Sequence, residues 1–220
     1  MSTKDIFKEI YQKKIWNPEP EKNIYKFYSG IGSHYDEFTN IYINKIKELL
    51  LSFPEKPNVV DLGCGDFKIG SQIRKFCNRY VAVDIFEDII DFNKSHYKDL
   101  DVDFRVLDIT KEQLPEGDIC LVRQVLQHLS NDLIKKFIKL INNKYKYLII
   151  TEHLPSDKNF KPNIDMPTGP FIRINKKSGI VLTKEPFNLK VVKELDVCNI
   201  YPKSIKNFEG VVNTKLLELN

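Results

Sequence analysis

The chain has 220 residues, a net charge of +4 at pH 7 and 42% hydrophobic residues, which is ordinary for a globular protein of one domain, or of one domain with an elaborated edge. No apolar run approaches the roughly 20 residues that span a membrane, and the charged start MSTKDIFKEIYQKK predicts a cytoplasmic protein. Only five of the 34 basic residues are arginines and no dense basic cluster occurs, which argues against nucleic acid as the substrate.

The predicted elements alternate between strands and helices along most of the chain. An apolar stripe over residues 34–53 predicts one long helix within an N-terminal helical cap, residues 1–53. The predicted strands are 58–62, 80–85, 102–109, 118–125, 145–153, 189–198 and 210–220. The predicted helices between them are 68–77, 86–98 and 131–144. This alternation, with nearly continuous apolar strands, predicts an α/β fold with a doubly wound, mostly parallel seven-stranded sheet.

Residues 154–187 interrupt the alternation and carry five prolines. Within them, FIRIN and GIVLT flank KKSG, which predicts a small hairpin. An irregular stretch of this length in a compact domain is usually functional, so we expect a lid-like insert. It would separate the core, residues 54–153, from the terminal strands, residues 188–220, which complete the sheet.

A glycine loop follows the first predicted strand, in the sequence VVDLGCGDFKIG. A dinucleotide fingerprint has the spacing G-x-G-x-x-G, but after Gly63 and Gly65 the third glycine, Gly70, comes two positions late. The acids Asp61, Asp66 and Asp84 near this loop would repel a pyrophosphate. The spacing and the charge therefore argue against an NAD-dependent oxidoreductase.

The first three predicted strands each end near an aspartate, namely Asp61, Asp84 and Asp108. In an open parallel sheet these carboxylates should line up along one edge, where ligands bind. An acid after the second strand suits a ribose diol, and Asp108 is placed either to accept from an adenine amine or to cap the following turn. A cationic ligand with ribose, adenine and an amino acid tail satisfies these features, and S-adenosylmethionine is such a molecule.

Four segments carry a family resemblance. They are DLGCG (61–65), VAVDI (81–85), VLDIT (106–110) and DICLVRQVLQHLS (118–130), which resemble motifs I to IV of class I S-adenosylmethionine-dependent methyltransferases. The resemblance covers roughly residues 57–153, and the last two predicted strands are similar to the terminal hairpin of that fold, which makes a terminal strand antiparallel. The predicted cofactor-binding residues are Asp61, Gly63, Cys64, Gly65, Asp84, Ile85, Asp108, Ile109 and Arg123.

The resemblance also implies roles for some of these residues. Asp61 would orient the glycine loop or reach the methionine amino group through water, Asp84 would bind the ribose, and Asp108 with Ile109 would lie against the adenine. For Arg123, which follows a buried strand, a place on the cofactor rim and a place on the surface both remain open.

Methyl transfer is an in-line displacement, and a hydroxyl nucleophile usually also needs a base. His128 follows the fourth predicted strand and His153 ends the fifth, so both are candidate bases, although either could be an ordinary polar residue. Glu152 could orient or replace one of them. The four cysteines lack metal-ligand spacing, so no metal site is predicted.

Two segments are expected to shape an acceptor pocket, namely residues 15–36, which could also be a plain linker, and the insert. The predicted acceptor-binding residues are Tyr25, Tyr28, Ser29, Ser33, His34, Gln124 and Arg173. Arg173 would grip a carboxylate or phosphate of the acceptor, or would be a surface residue.

The leading prediction for function is O- or N-methylation of a small-molecule acceptor, such as a sugar or another metabolite. The fourth motif lacks the N/D-P-P-Y type of sequence associated with methylation of exocyclic base nitrogens. RNA methylation through another motif type is an alternative. A second alternative is a non-catalytic, methyltransferase-like subunit that binds a partner. The sequence predicts no oligomeric state.

Overall fold

A computed structural model describes residues 1–17, 26–206 and 208–220. The strands in these ranges are β1 (Val59–Leu62), β2 (Tyr80–Asp84), β3 (Asp103–Val106), β4 (Ile119–Arg123), β5 (Tyr147–Leu154), β6 (Val191–Ile200) and β7 (Val211–Leu219). The α-helices are α1 (Thr3–Gln12), α2 (Ile31–His34), α3 (Asp36–Leu51), α4 (Gly70–Ile73), α5 (Glu87–His96) and α6 (Asn131–Ile141). No helix in these ranges is long and apolar enough to cross a bilayer.

The strands form one sheet in the order β3-β2-β1-β4-β5-β7-β6. The first five strands in sequence run parallel, and β7 pairs antiparallel with both β5 and β6. The predicted doubly wound, mostly parallel sheet with an antiparallel terminal strand is confirmed. Because the chain moves outward from β1 to β3 and then returns to β4 on the other side of β1, the switch point lies between β1 and β4.

Both faces of the sheet are buried, which explains why the strands read as continuous apolar runs. On one face, α3 packs Phe38, Tyr42 and Ile46 against the sheet within one core cluster. On the other face, α6 contributes Ile134 and Phe137 to a second cluster. These helices leave the carboxyl edge of the parallel strands uncovered for other segments.

The insert does not form the predicted hairpin, so that prediction is wrong. Residues Arg173–Lys176 instead form a short 3₁₀ turn, which ends where Lys177 adopts a left-handed φ of 51°. The buried side chain of Asn163 donates to the carbonyls of Val181 and Glu185 and accepts from the Val181 amide. These side-chain bonds take the place of a strand ladder.

Much of the insert packs into the core and does not stand over the sheet as a separate flap. Ile180, Leu182 and Phe187 belong to the same buried cluster as α6. Only a short part of it, residues 170–175, contributes to the cavity described below. Within the insert, residues 170–175 are therefore the part that could act as the lid expected from the sequence.

Candidate active site

A cavity of about 720 Å³ opens at the carboxyl edge of the parallel strands, at the switch point. It crosses the loops after β3, β2, β1, β4 and β5 and reaches the loop between β6 and β7, and α1 lies over it. We call its two ends the acid end, lined by Asp61, Asp66, Asp84 and Asp108, and the histidine end, lined by His128 and His153.

The glycine loop after β1 forms one side of the acid end. The amides of Gly63 and Cys64 both donate to the Val83 carbonyl, at 2.8 and 2.9 Å. Gly63 and Gly65 have φ values of 83° and 55°, which side chains rarely adopt. A Cβ on Gly65 would lie 2.3 Å from the Ser29 hydroxyl, so this position needs a glycine for two independent reasons.

Asp84, at the end of β2, fixes the shape of that loop. One carboxylate oxygen accepts from the Gly65 amide at 3.0 Å and the other from the Phe86 amide at 3.1 Å. Burial raises the pKa of Asp84 to about 6, although these amide donors oppose the shift. Each oxygen keeps a second lone pair, and the carboxylate lines the cavity beside Ile85.

Asp61 is the second buried acid at this end of the cavity. The Tyr80 hydroxyl donates to Asp61 Oδ2 at 3.0 Å. Burial raises the pKa of Asp61 to about 7, against the opposing effects of Tyr80 and Arg123. Two carboxyl groups whose ionised forms are penalised by burial would be stabilised by a cationic ligand.

Asp108, at the far side of the acid end, both caps a turn and lines the cavity. Its Oδ1 atom accepts from the amide and the hydroxyl of Thr110, and Lys111 lies 3.1 Å from Oδ2. Burial acts to raise the pKa of Asp108, but the Thr110 bonds and Lys111 together lower it. Ile109 lies beside it on the cavity wall. Asp108 can therefore both cap the following turn and face a bound ligand, so the two roles left open by the sequence are compatible.

Asp66 holds the N-terminal segment against the glycine loop. Asp66 Oδ2 accepts from the Ser29 amide at 3.1 Å and lies 2.5 Å from His34 Nε2, while the Asp66 amide donates to the Ser29 hydroxyl. Tyr28 stacks on His34 with ring centroids 4.0 Å apart. Tyr28 and His34 are not part of the described cavity lining, so we withdraw them as acceptor-binding residues. Tyr25 lies outside the described residues.

Arg123 holds a neighbouring part of the same segment. Its guanidinium donates to the Ser33 hydroxyl and the Gly32 carbonyl and lies 4.8 Å from the centre of the Tyr42 ring. Arg123, Ser33 and Gln124 all line the cavity. Gln124 adopts a left-handed φ of 55°, and its amide donates to the Thr151 carbonyl. Arg123 is therefore part of the cavity floor and not a surface residue.

His128 lies at the histidine end with a defined hydrogen-bond pattern. Its Nδ1 atom is 3.2 Å from the Phe171 carbonyl, which can only accept, so Nδ1 carries the proton and Nε2 is an acceptor. The Gln127 side-chain amide lies 3.3 Å from Nε2. Burial lowers the pKa of His128 to about 4, so the ring is neutral at pH 7.

His153 has the opposite arrangement. Its Nε2 atom donates to the Glu209 carbonyl, and its ring stacks on Phe208 at 4.5 Å. Burial lowers the pKa of His153, and the Glu209 carbonyl opposes this. Both histidines therefore face the cavity in the neutral form, but the unprotonated nitrogen is Nε2 in His128, where the Gln127 side-chain amide approaches it, and Nδ1 in His153.

Arg173 does not face the cavity, and the sequence-based prediction that it grips an acceptor is corrected. The side chain is fully buried, and its five N–H groups all have acceptors within the protein. The acceptors are the carbonyls of Ile164, Leu126, Gln127 and Leu129 and the Asn131 side chain. Arg173 thus joins the insert to the turn that carries His128.

Glu152 faces the opposite side of β5 from His153 and does not line the cavity. It is buried, and neither carboxyl oxygen meets the geometry of a hydrogen bond. Burial raises the pKa of Glu152 to about 8, against the nearby Arg173 and the amides of Leu126 and Gln127. A predicted catalytic role for Glu152 does not fit this position, since it has no access to a bound acceptor.

Several residues that line the cavity were missed in the sequence. Phe7 and Tyr11 project from α1, and Tyr11 stacks on Phe86 at 5.5 Å. Trp16 donates from its indole nitrogen to the Pro170 carbonyl at 3.2 Å. The spacing of Phe7 and Tyr11, four residues apart on one helix face, was an available signal for a buried helix face. Nothing local indicated what that face covers.

Comparison with known proteins agrees with this geometry. Residues 59–146 match a family model described as a methyltransferase domain. Residues 59–146 therefore carry a methyltransferase domain, which confirms the resemblance in motifs I to IV, and the fold is that of class I methyltransferases. None of the curated protein sequences matches the chain.

Solved structures with the same fold cover most of this chain. The N-methyltransferase NodS of Bradyrhizobium japonicum WM9, in complex with S-adenosyl-L-homocysteine, has a TM-score of 0.64 and 13% identity, covering 95% of this chain and 96% of its own. A methyltransferase from Clostridium acetobutylicum has a TM-score of 0.55 and 15% identity over 84% and 96% of the two chains. The DhpI–SAH complex has a TM-score of 0.56 and 12% identity over 86% and 89%.

The Gly65→Ala variant is expected to bind S-adenosylhomocysteine at least about tenfold more weakly, because the new Cβ combines a strained φ with a clash against Ser29. Calorimetric titration would measure this. Gly169→Ala is the matched control, since its Cβ would meet nothing within 4 Å and its φ is unstrained. Equal affinity in the two variants would contradict the prediction.

Proposed function

We propose that this methyltransferase transfers a methyl group to a small molecule held at the histidine end of the cavity, with S-adenosylmethionine held at the acid end. The observation that carries the proposal is the continuity of the cavity, which joins buried carboxyl groups to two neutral imidazoles in one space. When bound, S-adenosylmethionine supplies a methyl group attached to a cationic sulfur.

The acid end fits S-adenosylmethionine in its chemistry. Asp84 has unused lone pairs for the ribose hydroxyls, although both oxygens already accept backbone amides. Asp61 and Asp84 suit a cation, and their raised pKa values should fall towards normal when it binds. Asp108 and Ile109 offer a polar atom and an apolar surface at the far end.

The histidine end supports the handling of a proton. His128 presents an unprotonated Nε2 atom, and the Phe171 carbonyl holds the ring in that tautomer. Trp16 packs against the same imidazole with centroids 4.7 Å apart, which limits its movement and excludes water from one side. We therefore assign the base to His128, with His153 as a second wall of the pocket.

The first test is cofactor binding by calorimetry. S-adenosylmethionine and S-adenosylhomocysteine should bind, and NAD should not. Asp84→Ala should weaken binding about ten- to a hundredfold, since loss of a charge-assisted hydrogen bond costs about 1.5–3 kcal/mol. Asp88→Ala, which removes an exposed acid from the first turn of α5, is the control and should bind normally.

Two outcomes would overturn the proposal. Tight NAD binding without S-adenosylmethionine binding would assign the cavity to another reaction. Cofactor binding without transfer of a labelled methyl group to any component of a metabolite extract, together with tight binding of a protein partner, would instead indicate a non-catalytic subunit.

A further inference from the structure

We infer that the acceptor is an uncharged molecule with a flat, apolar ring that carries a phenol-type hydroxyl. This inference rests on the proposed function, because it concerns the histidine end of the same cavity. It narrows the class of acceptor to phenols, in place of the sugar that the sequence analysis gave as an example.

The charges around the cavity disfavour an anionic acceptor. Among the described lining residues, the acidic ones are Asp61, Asp66, Asp84, Asp108 and Glu209. Arg123 is the one lysine or arginine in that set, and both of its terminal nitrogens already donate to the N-terminal segment. The Nε atom of Arg123 has no partner but is buried out of contact with solvent, so a carboxylate or phosphate would enter an acidic cavity whose arginine is turned towards the N-terminal segment.

A cationic acceptor is disfavoured for a chemical reason. An ammonium group has no lone pair with which to attack a methyl group, so an amine must lose its proton before it reacts. The acids that would attract a cation lie mostly at the other end of the cavity, away from His128. An uncharged acceptor is the remaining class.

The walls of the histidine end are flat and apolar. Trp16, Phe171 and Phe208 supply aromatic surface, and the isoleucines are Ile15, Ile172, Ile174 and Ile205. Phe171 and Ile15 are 63% and 47% exposed, although both line the cavity. A ring placed between such walls would cover apolar surface that is now in contact with water, whereas a sugar would place several of its hydroxyls against these apolar walls and lose water there.

The hydrogen-bonding groups agree with a hydroxyl nucleophile. His128 Nε2 can only accept, because Nδ1 donates to the Phe171 carbonyl. In the reaction, the acceptor oxygen forms a bond to the methyl carbon, the carbon–sulfur bond breaks with its electron pair left on sulfur, and the hydroxyl proton passes to Nε2. The low pKa of His128 makes it a weak base, which suits a phenol with a pKa of about 10 better than the far less acidic hydroxyl of a sugar.

Trp16 provides a direct test, because it is the only tryptophan in the chain and it lies on the pocket wall. The protein, saturated with S-adenosylhomocysteine, would be titrated with 4-propylphenol, 4-propylbenzoate and methyl β-glucoside while Trp16 fluorescence is recorded. We expect the phenol to quench Trp16 and to bind at least about tenfold more tightly than the other two. Comparable binding of the benzoate or the glucoside would overturn the inference, as would absence of a response to the phenol.

The location of binding is tested with two variants of similar exposure. Phe171→Ala should weaken the binding of 4-propylphenol at least about fivefold by removing apolar wall. Tyr201→Ala removes a 60% exposed aromatic outside the described lining and should leave it unchanged. Equal effects of the two variants would show that the phenol binds elsewhere. Failure of S-adenosylhomocysteine to bind in the first step would instead overturn the proposed function.

Discussion

The His128→Ala variant is expected to lose about 10²–10⁴-fold in the single-turnover rate of methyl transfer while its affinity for S-adenosylhomocysteine stays unchanged. The Phe171 carbonyl fixes the tautomer of this imidazole so that Nε2 is the unprotonated nitrogen, where an acceptor hydroxyl would replace the Gln127 side-chain amide. His153 faces the same cavity, but with Nε2 bound to the Glu209 carbonyl it would have to accept through Nδ1, which lies nearer to its own backbone, so we expect a smaller loss for His153→Ala.

The pH dependence of the rate should carry the signature of a buried base. Only the neutral imidazole can accept a proton, and burial lowers the pKa of His128 to about 4. With saturating cofactor, which keeps Asp61 and Asp84 ionised, the single-turnover rate should therefore be level through neutral pH and fall only as the pH approaches about 4, and not near the 6.5 of an exposed histidine.

Controls for this prediction come from the same residue type. His96→Ala removes an exposed histidine at the end of α5 and should leave the rate unchanged. His128→Asn, which keeps a side-chain N–H, guards against an effect of lost packing alone. Full rates in both His128→Ala and His153→Ala would mean that the acceptor needs no base from either ring.

The Arg173→Ala variant is expected to lower the free energy of unfolding by about 3–5 kcal/mol, which is the range for removing one partner from a buried charged network. Five N–H donors would disappear, and four carbonyls would be left buried without them. Glu152, which is also buried, would lose the positive charge of Arg173, which opposes the rise of its pKa. Chemical denaturation followed by circular dichroism would measure the change.

A surface arginine gives the matched comparison. Arg105 pairs with Asp103 on β3 while its side chain is 44% exposed, so Arg105→Ala should cost no more than about 1 kcal/mol. Arg173→Lys keeps the charge but not the five-donor fork, and it should fall between the two. A small effect of Arg173→Ala would show that the insert is joined to the core by its apolar residues alone.

Structural features that depend on neighbouring residues in the sequence, such as strands, were predictable. Features that depend on contacts between residues far apart in the sequence were not. The strands and the acids at their ends follow from apolar runs and regular spacing, so Asp61, Asp84 and Asp108 were placed on one edge correctly. The partners of Arg173 lie 9 to 47 residues away along the chain. No local pattern specifies such contacts.

The same distinction explains the remaining differences. His34 and Asp66 are 32 residues apart, and their contact holds part of the predicted pocket segment against the glycine loop, while Ser33 of that segment still lines the cavity. The predicted hairpin in the insert had the expected alternation, but Asn163 bonds to the backbone that would have formed it. Local propensity yields to tertiary contacts in both places.

Two consecutive carbonyls in the insert hold two rings of the acceptor pocket. Pro170 accepts from Trp16 and Phe171 accepts from His128, so a movement of this backbone shifts the wall and the base together. An acceptor that fits badly and displaces Trp16 would also misplace the base. Discrimination between acceptors would then be expressed in kcat and not only in KM, because poor fit impairs the chemical step of molecules that still bind.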